Sequence, residues 1–135
     1  MTKQKSRENA FLILFESSFR EDTPEELFAL AEELEEMEIN DKVRTLVTGV
    51  LSETQELDTV ISSYSPKRAV GRIARVNLIL LRMAIYELRH FPETPVNVVI
   101  SEAVRLSELY AVPEDTAFIN GILGNYAREN PGDKA

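Results

Sequence analysis

Glu87 and His90 stand three residues apart, the Glu-x-x-His spacing with which helical bundles hold a di-iron centre. Such a centre needs the motif twice. His90 is the only histidine of the 135 residues, so one chain cannot build it. His90 is also the one imidazole that could serve a serine nucleophile, and no Gly-x-Ser-x-Gly turn accompanies it. Cysteine is absent, which removes thiolate catalysis and a disulfide framework together and suits a reducing cytoplasm. No glycine-rich phosphate loop is present. From Glu21 to Asp41 every charged residue is acidic, but the run has no metal-ligand spacing and reads as a solvated helix face. The expectation is therefore a protein without catalytic residues, cofactor or metal.

The remaining chemistry lies in charge and aromatic rings. The net charge of −8 argues against a protein that grips nucleic acid over its whole surface. The distribution is uneven, however, and cations gather at Lys3, Lys5 and Arg7 and again at Lys67, Arg68, Arg72 and Arg75. Cations at a helix N-terminus oppose the macrodipole, which slightly favours a functional reason for the first group, with a frayed, solvated terminus as the evenly weighted alternative. Arg82 lies in the most apolar stretch of the chain and needs a partner there. Glu102, on the following helix, is the expected one, the pair fixing helix register.

Positioning these groups falls to helices. Residues 76–88 are apolar all round a helical wheel, the pattern of a buried axis. The run is too short and too interrupted by Asn77, Arg82 and Glu87 to cross a membrane. Around it the sequence predicts an amphipathic helix over 5–19, with Ala10, Phe11, Ile13, Leu14, Phe15 and Ser18 inward. The opening Lys3, Lys5, Arg7 and Glu8, followed by helically spaced apolar residues, does not read as a signal peptide. Thr23-Pro24-Glu25-Glu26 starts a second helix with a capping box, burying Leu27, Leu30, Ala31 and Leu34. Asn40 or Asp41 caps a long amphipathic stretch that carries Val43, Leu46, Val47, Val50, Leu51, Leu57, Val60 and Ile61 and ends at Ser62 to Pro66. Thr94 is the expected cap of another helix, with Pro95 in its first turn and its end near Tyr110, and Pro113 opens the last, with Glu114 and Asp115 in its first turn. The fold class expected is all-α: a compact bundle of six to seven helices in one domain over 1–130, with a loose tail over 131–135.

Three blocks then carry a resemblance. Leu81-Arg82-Met83-Ala84-Ile85-Tyr86-Glu87-Leu88 is the first, Pro95-Val96-Asn97-Val98-Val99-Ile100-Ser101-Glu102-Ala103-Val104-Arg105-Leu106 the second, and Phe118-Ile119-Asn120-Gly121-Ile122-Leu123 the third. In order and spacing they resemble the signature blocks of the NusB family of bacterial transcription antitermination factors, and Arg7-Glu8 resembles the family's opening. The resemblance spans essentially the whole chain. It implies two small helical subdomains and a non-enzymatic, RNA-binding function in the cytoplasm. It also implies pairing with NusE, a small-ribosomal-subunit protein, on the boxA element of nascent ribosomal RNA, within an antitermination complex with RNA polymerase. The RNA contacts it implies are Lys3, Lys5 and Arg7 on the first helix, then Tyr64, Asp115 and Phe118, with Arg72, Arg75 and Asn77 toward NusE. An aromatic beside cations suits single-stranded RNA, bases stacking on the ring while cations hold phosphate; for Phe118 a place in the core is the competing reading.

The chain departs from the family pattern in four places. The opening is Lys3-Gln4-Lys5-Ser6-Arg7 where relatives often carry denser arginine, Arg68 takes the place of a frequent tryptophan, Ser101 that of an asparagine, and the loop before Phe118 is one residue shorter than in some members. Fewer phosphate contacts imply weaker RNA binding with a shallower salt dependence. The alternative readings are a helical protein-interaction module without an RNA role, its acidic surface docking a basic partner, and a homodimer that hides its binding surface.

Overall fold

The computed structural model describes residues 2–35 and 37–131. Among them are seven α-helices and no strand: α1 (Lys3–Ser17), α2 (Pro24–Glu33), α3 (Asp41–Ser52), α4 (Thr54–Ser63), α5 (Arg75–His90), α6 (Val96–Tyr110) and α7 (Asp115–Glu129). A single 3-10 turn, Val70–Arg72, precedes α5. No helix among the described residues is long and apolar enough to cross a membrane. The chain divides into two compact units, Met1–Ser52 and Glu53–Ala135. Of the tail expected to be loose, residues 132–135 lie outside the described residues.

In the first unit α1 packs along α3 and against α2. Thr2 caps α1, its hydroxyl accepting from the Lys5 backbone N–H at 3.0 Å. The capping box of α2 forms as expected, with Thr23 Oγ1 accepting from the Glu26 backbone N–H and the Glu26 carboxylate accepting from the Thr23 backbone N–H. Leu27, Phe28 and Ala31 are buried, whereas Leu34, expected inward, is exposed. On α1 the buried set includes three polar side chains, Ser6, Arg7 and Asn9, besides Ala10, Phe11, Ile13 and Leu14. Two of them hold the segment leading into α3. Asn9 Nδ2 donates to the Glu38 carbonyl at 3.0 Å, and Ser6 Oγ accepts from Asn40 Nδ2 at 2.9 Å. Asn40 in turn caps α3, its Oδ1 accepting from the Val43 backbone N–H at 2.9 Å. Ser18, expected on the inner face of α1, is exposed: it caps the C-terminus, with its hydroxyl on the Phe15 carbonyl.

The long stretch expected after Asn40 is two helices. It breaks at Glu53, whose φ of −112° and ψ of 15° leave the helical region. Ser52 Oγ folds back onto the Gly49 carbonyl at 2.9 Å. The apolar spacing from Val43 to Val50 lapses at Glu53 and Thr54 and resumes at Leu57 and Ile61, so the break falls where no side chain asks to be buried.

In the second unit α5 is the axis, packed by α4, α6 and α7. Ile79, Leu80, Leu81, Met83, Ala84, Ile85 and Leu88 are all buried, as the all-round apolar pattern predicts. Full burial of each Leu, Ile or Met stabilises the fold by roughly 1.5–3 kcal/mol relative to exposure. Arg82 does not pair with Glu102. Its guanidinium lies fork to fork on Asp58 of α4, at 2.7 and 2.8 Å, while Glu102 meets Arg105 one turn along α6 at 3.1 Å. At the start of α6, Thr94 is buried and Pro95 is the cap residue, its carbonyl accepting from the Val98 and Val99 backbone N–H groups.

Candidate nucleic-acid interface

The residues that gather aromatic and cationic chemistry lie where the chain leaves α4. Tyr64 ends the helix, its N–H on the Ile61 carbonyl at 3.0 Å, and Pro66 prevents continuation. The next turn is closed twice: Ser65 Oγ donates to the Arg68 carbonyl at 2.7 Å and the Arg68 N–H donates to the Ser65 carbonyl at 3.2 Å. Ser65 is thereby buried, and Lys67 and Arg68 are exposed.

Across from this turn lies the outer face of α7. Ile119, Ile122 and Leu123 turn into the core, while Phe118 is half-buried and Ala117 and Gly121 add no bulk beside it. Between the turn and the helix is a groove of about 420 Å³, lined by Tyr64, Lys67, Arg68, Ala117, Phe118 and Gly121 among others. Arg68 reaches over it, its guanidinium carbon 4.3 Å from the Phe118 ring centroid, within cation–π range. Tyr64 is a fixed wall. Its ring stands edge-on to Tyr126, centroids 5.8 Å apart, and its hydroxyl accepts from Asn130 Nδ2 at 3.1 Å and lies 3.4 Å from a Glu129 carboxylate oxygen. At one end Asn125 lines the groove and accepts from Arg128. Rings, cations and an open cleft suit a ligand with π faces and negative charge.

Set against known proteins, the chain matches the NusB family model over residues 4–128. It is 35% identical over 132 residues to the transcription antitermination protein NusB of Acetivibrio thermocellus, covering 95% of this chain and 90% of that one. The chain belongs to the NusB family. Its fold superimposes on that of Thermotoga maritima NusB with a TM-score of 0.84 at 28% identity, over 96% of this chain and 92% of the other. It also superimposes on a chain from a crystal structure of the antitermination factors NusB and NusE in complex with double-stranded RNA, with a TM-score of 0.79 at 25% identity, over 96% and 99% of the two chains.

The residues singled out for NusB-like contacts are not all available to a ligand. Tyr64 and Phe118 share the groove. Lys3 and Lys5 are exposed on the first turn of α1 in the other unit, Lys5 lying 3.6 Å from Glu8. Arg7 is only 5% exposed, so it is part of the packing of its unit and not a free surface cation. Asn77, expected toward NusE, is 0% exposed. Its Nδ2 donates to Asp115 Oδ2 at 2.7 Å and its Oδ1 accepts from Ser107 Oγ at 3.4 Å, so it ties α5 to α6 and α7. Asp115 is accordingly engaged within the protein, one turn before Phe118. Arg72 and Arg75 are exposed around the 3-10 turn and the start of α5. The Glu-x-x-His pair separates: Glu87 is buried, while the His90 ring lies tilted against Tyr86 and points Nε2 at the Glu53 carboxylate, 2.9 Å away.

Sequence reasoning missed Lys67 and Arg68 as members of the site. Their signal was visible, a basic segment directly after Tyr64, but which ring the cations face depends on how α7 docks beside the turn.

Proposed function

We propose that this chain is a transcription antitermination factor that binds boxA-type single-stranded RNA through the Tyr64–Phe118 groove, together with NusE and without a catalytic step. The observation that carries the reading is the sharing of one cleft by two aromatic side chains and the cations Lys67 and Arg68. Bases stack on rings of this kind with little dependence on sequence, and the cations meet phosphate. The relatives that are antitermination factors support the function, and the solved complex of NusB and NusE with double-stranded RNA supports RNA binding together with NusE.

Lys3 and Lys5 add phosphate contacts from α1. Arg7 and Asp115 act indirectly, by packing and by holding α7. Arg72 and Arg75 are the residues we assign to NusE, and Asn77 supports that surface from beneath. The heterodimer then joins RNA polymerase in the cytoplasm. With Lys67 and Arg68 at the groove and Lys3 and Lys5 on α1, the chain alone binds RNA weakly and the partner completes the affinity.

A second reading, a protein-interaction module without an RNA role, draws on the exposed Leu109 and Val112 at the α6–α7 corner, 58% and 54% accessible. Filter retention of boxA RNA across a salt series, with and without NusE, separates the two. Phe118→Ala is expected to lower retention about tenfold, in the range of one lost base stack. Retention that ignores both Phe118 and salt overturns the RNA reading.

A further inference from the structure

We propose that Arg68 is the second jaw of a base clamp: one nucleobase of a single strand enters between the Phe118 ring and the Arg68 guanidinium, replacing their direct contact with a three-layer stack. The inference rests on the reading of this groove as an RNA site and adds the residue that grips the base.

The open face of Phe118 is occupied by the chain's own side chain. The guanidinium carbon lies 4.3 Å from the ring centroid, in the place a stacked base would take. A guanidinium is flat, delocalised and weakly hydrated, so it covers a π face much as a base does. Whatever stacks on Phe118 must lift it first, and the hold is weak. Among the described residues no carboxylate pairs with this guanidinium. Its aromatic contact is solvent-exposed, and an exposed cation–π contact is weaker than the stacking of a base on an aromatic ring.

The backbone of Arg68 does not move with the tip. Both bonds of the Ser65–Arg68 turn hold it, so the side chain lifts from a fixed root and closes back over what has entered. Tyr64, in contact with Tyr126 and Asn130, forms the wall of the same cleft, while Phe118 is the ring that Arg68 covers. Ala117 and Gly121 leave the space beside Phe118 open, and Lys67, the residue before Arg68, also lines the cleft, where its ammonium can meet the phosphate. Every base has a π face, so the clamp selects for an unpaired nucleotide and not for one base.

Arginine and lysine carry the same charge but only arginine can stack, and this sets the test. The full chain, with NusE present, is titrated against a short single-stranded boxA oligoribonucleotide carrying 2-aminopurine at successive positions. The wild type is expected to quench one position most strongly, and Phe118→Leu to abolish that quench. Arg68→Lys should weaken binding roughly fivefold or more while leaving the slope of log affinity against log salt unchanged. Arg68→Ala should weaken it further than Arg68→Lys and also lower the slope by about one. Wild-type affinity in Arg68→Lys overturns the clamp and leaves Arg68 a point charge at an RNA site that still stands. Tighter binding by Arg68→Ala overturns it too, making the side chain a mere cover. If the wild type shows no salt-dependent binding at all, the RNA site itself fails and the clamp with it.

Discussion

Arg82 grips Asp58 through two parallel bonds of 2.7 and 2.8 Å, linking α5 to α4, with a fifth of the arginine side chain and a quarter of the aspartate still exposed. The bidentate geometry is the favourable arrangement for an arginine–carboxylate pair, and partial exposure limits what it contributes. Arg82→Ala is expected to cost about 2 kcal/mol, in the range for hydrogen bonds to charged groups. A double-mutant cycle in urea should find coupling between Arg82 and Asp58 and none between Arg82 and Glu102. Coupling to Glu102 instead would mean that the helices dock differently.

That pair shows what the chain disclosed before its structure. The need of Arg82 for a partner follows from its apolar neighbours. Which acid answers depends on the rotation of α4, and the reading of α3 and α4 as one helix concealed it. Local signals served best: the Thr23 box and the Asn40 cap depend on residues within one turn, and the all-round apolar pattern of α5 on residues within one helix. Polar side chains on buried faces served worst. Ser6, Arg7 and Asn9 interrupt the apolar pattern of α1, and their burial follows from tertiary packing that no periodicity encodes. The candidate site divides in the same way. Tyr64 and Phe118 were legible through the family resemblance, while the turn that lays Arg68 over Phe118 depends on Ser65 closing on its own loop.

Asn40 does two jobs with two atoms. Its Oδ1 caps α3 and its Nδ2 reaches Ser6 on α1. Asn40→Asp keeps the cap and loses the second bond; Asn40→Ala loses both. The alanine variant is expected to cost about 1–2 kcal/mol and the aspartate variant less, measured by chemical denaturation. Equal losses would show that the bond to Ser6 carries the stability and the cap none.

Tyr86 is expected to contribute to the alkaline limb of stability. Burial raises its phenol above the ordinary 10.0, and the Glu53 carboxylate adds to the shift in the same direction. The folded state therefore favours the neutral phenol. The stabilisation is complete below the unfolded-state value and is lost as pH climbs through the folded one, because the unfolded chain ionises first. Denaturation midpoints followed from about pH 8 to 11 should fall more steeply for the wild type than for Tyr86→Phe, which has no proton to lose. Parallel curves would remove Tyr86 as the cause.

Gly121 separates stability from binding. It lies within α7, and a Cβ built there meets nothing within 4 Å. Gly121→Ala therefore gains helix propensity without a clash and should stabilise the protein by about 0.5–1 kcal/mol. The added methyl projects toward a groove of about 420 Å³ and leaves most of it open, so RNA affinity should hold. Gly121→Leu gains helix propensity as well, but its larger side chain intrudes on the space beside Phe118. It should be at least as stable as the wild type by thermal melting and yet retain boxA RNA several-fold less well. A protein that has lost RNA while gaining stability cannot have lost it by unfolding, so this combination isolates the groove as the contact; a leucine variant that binds as the wild type does would place the RNA elsewhere.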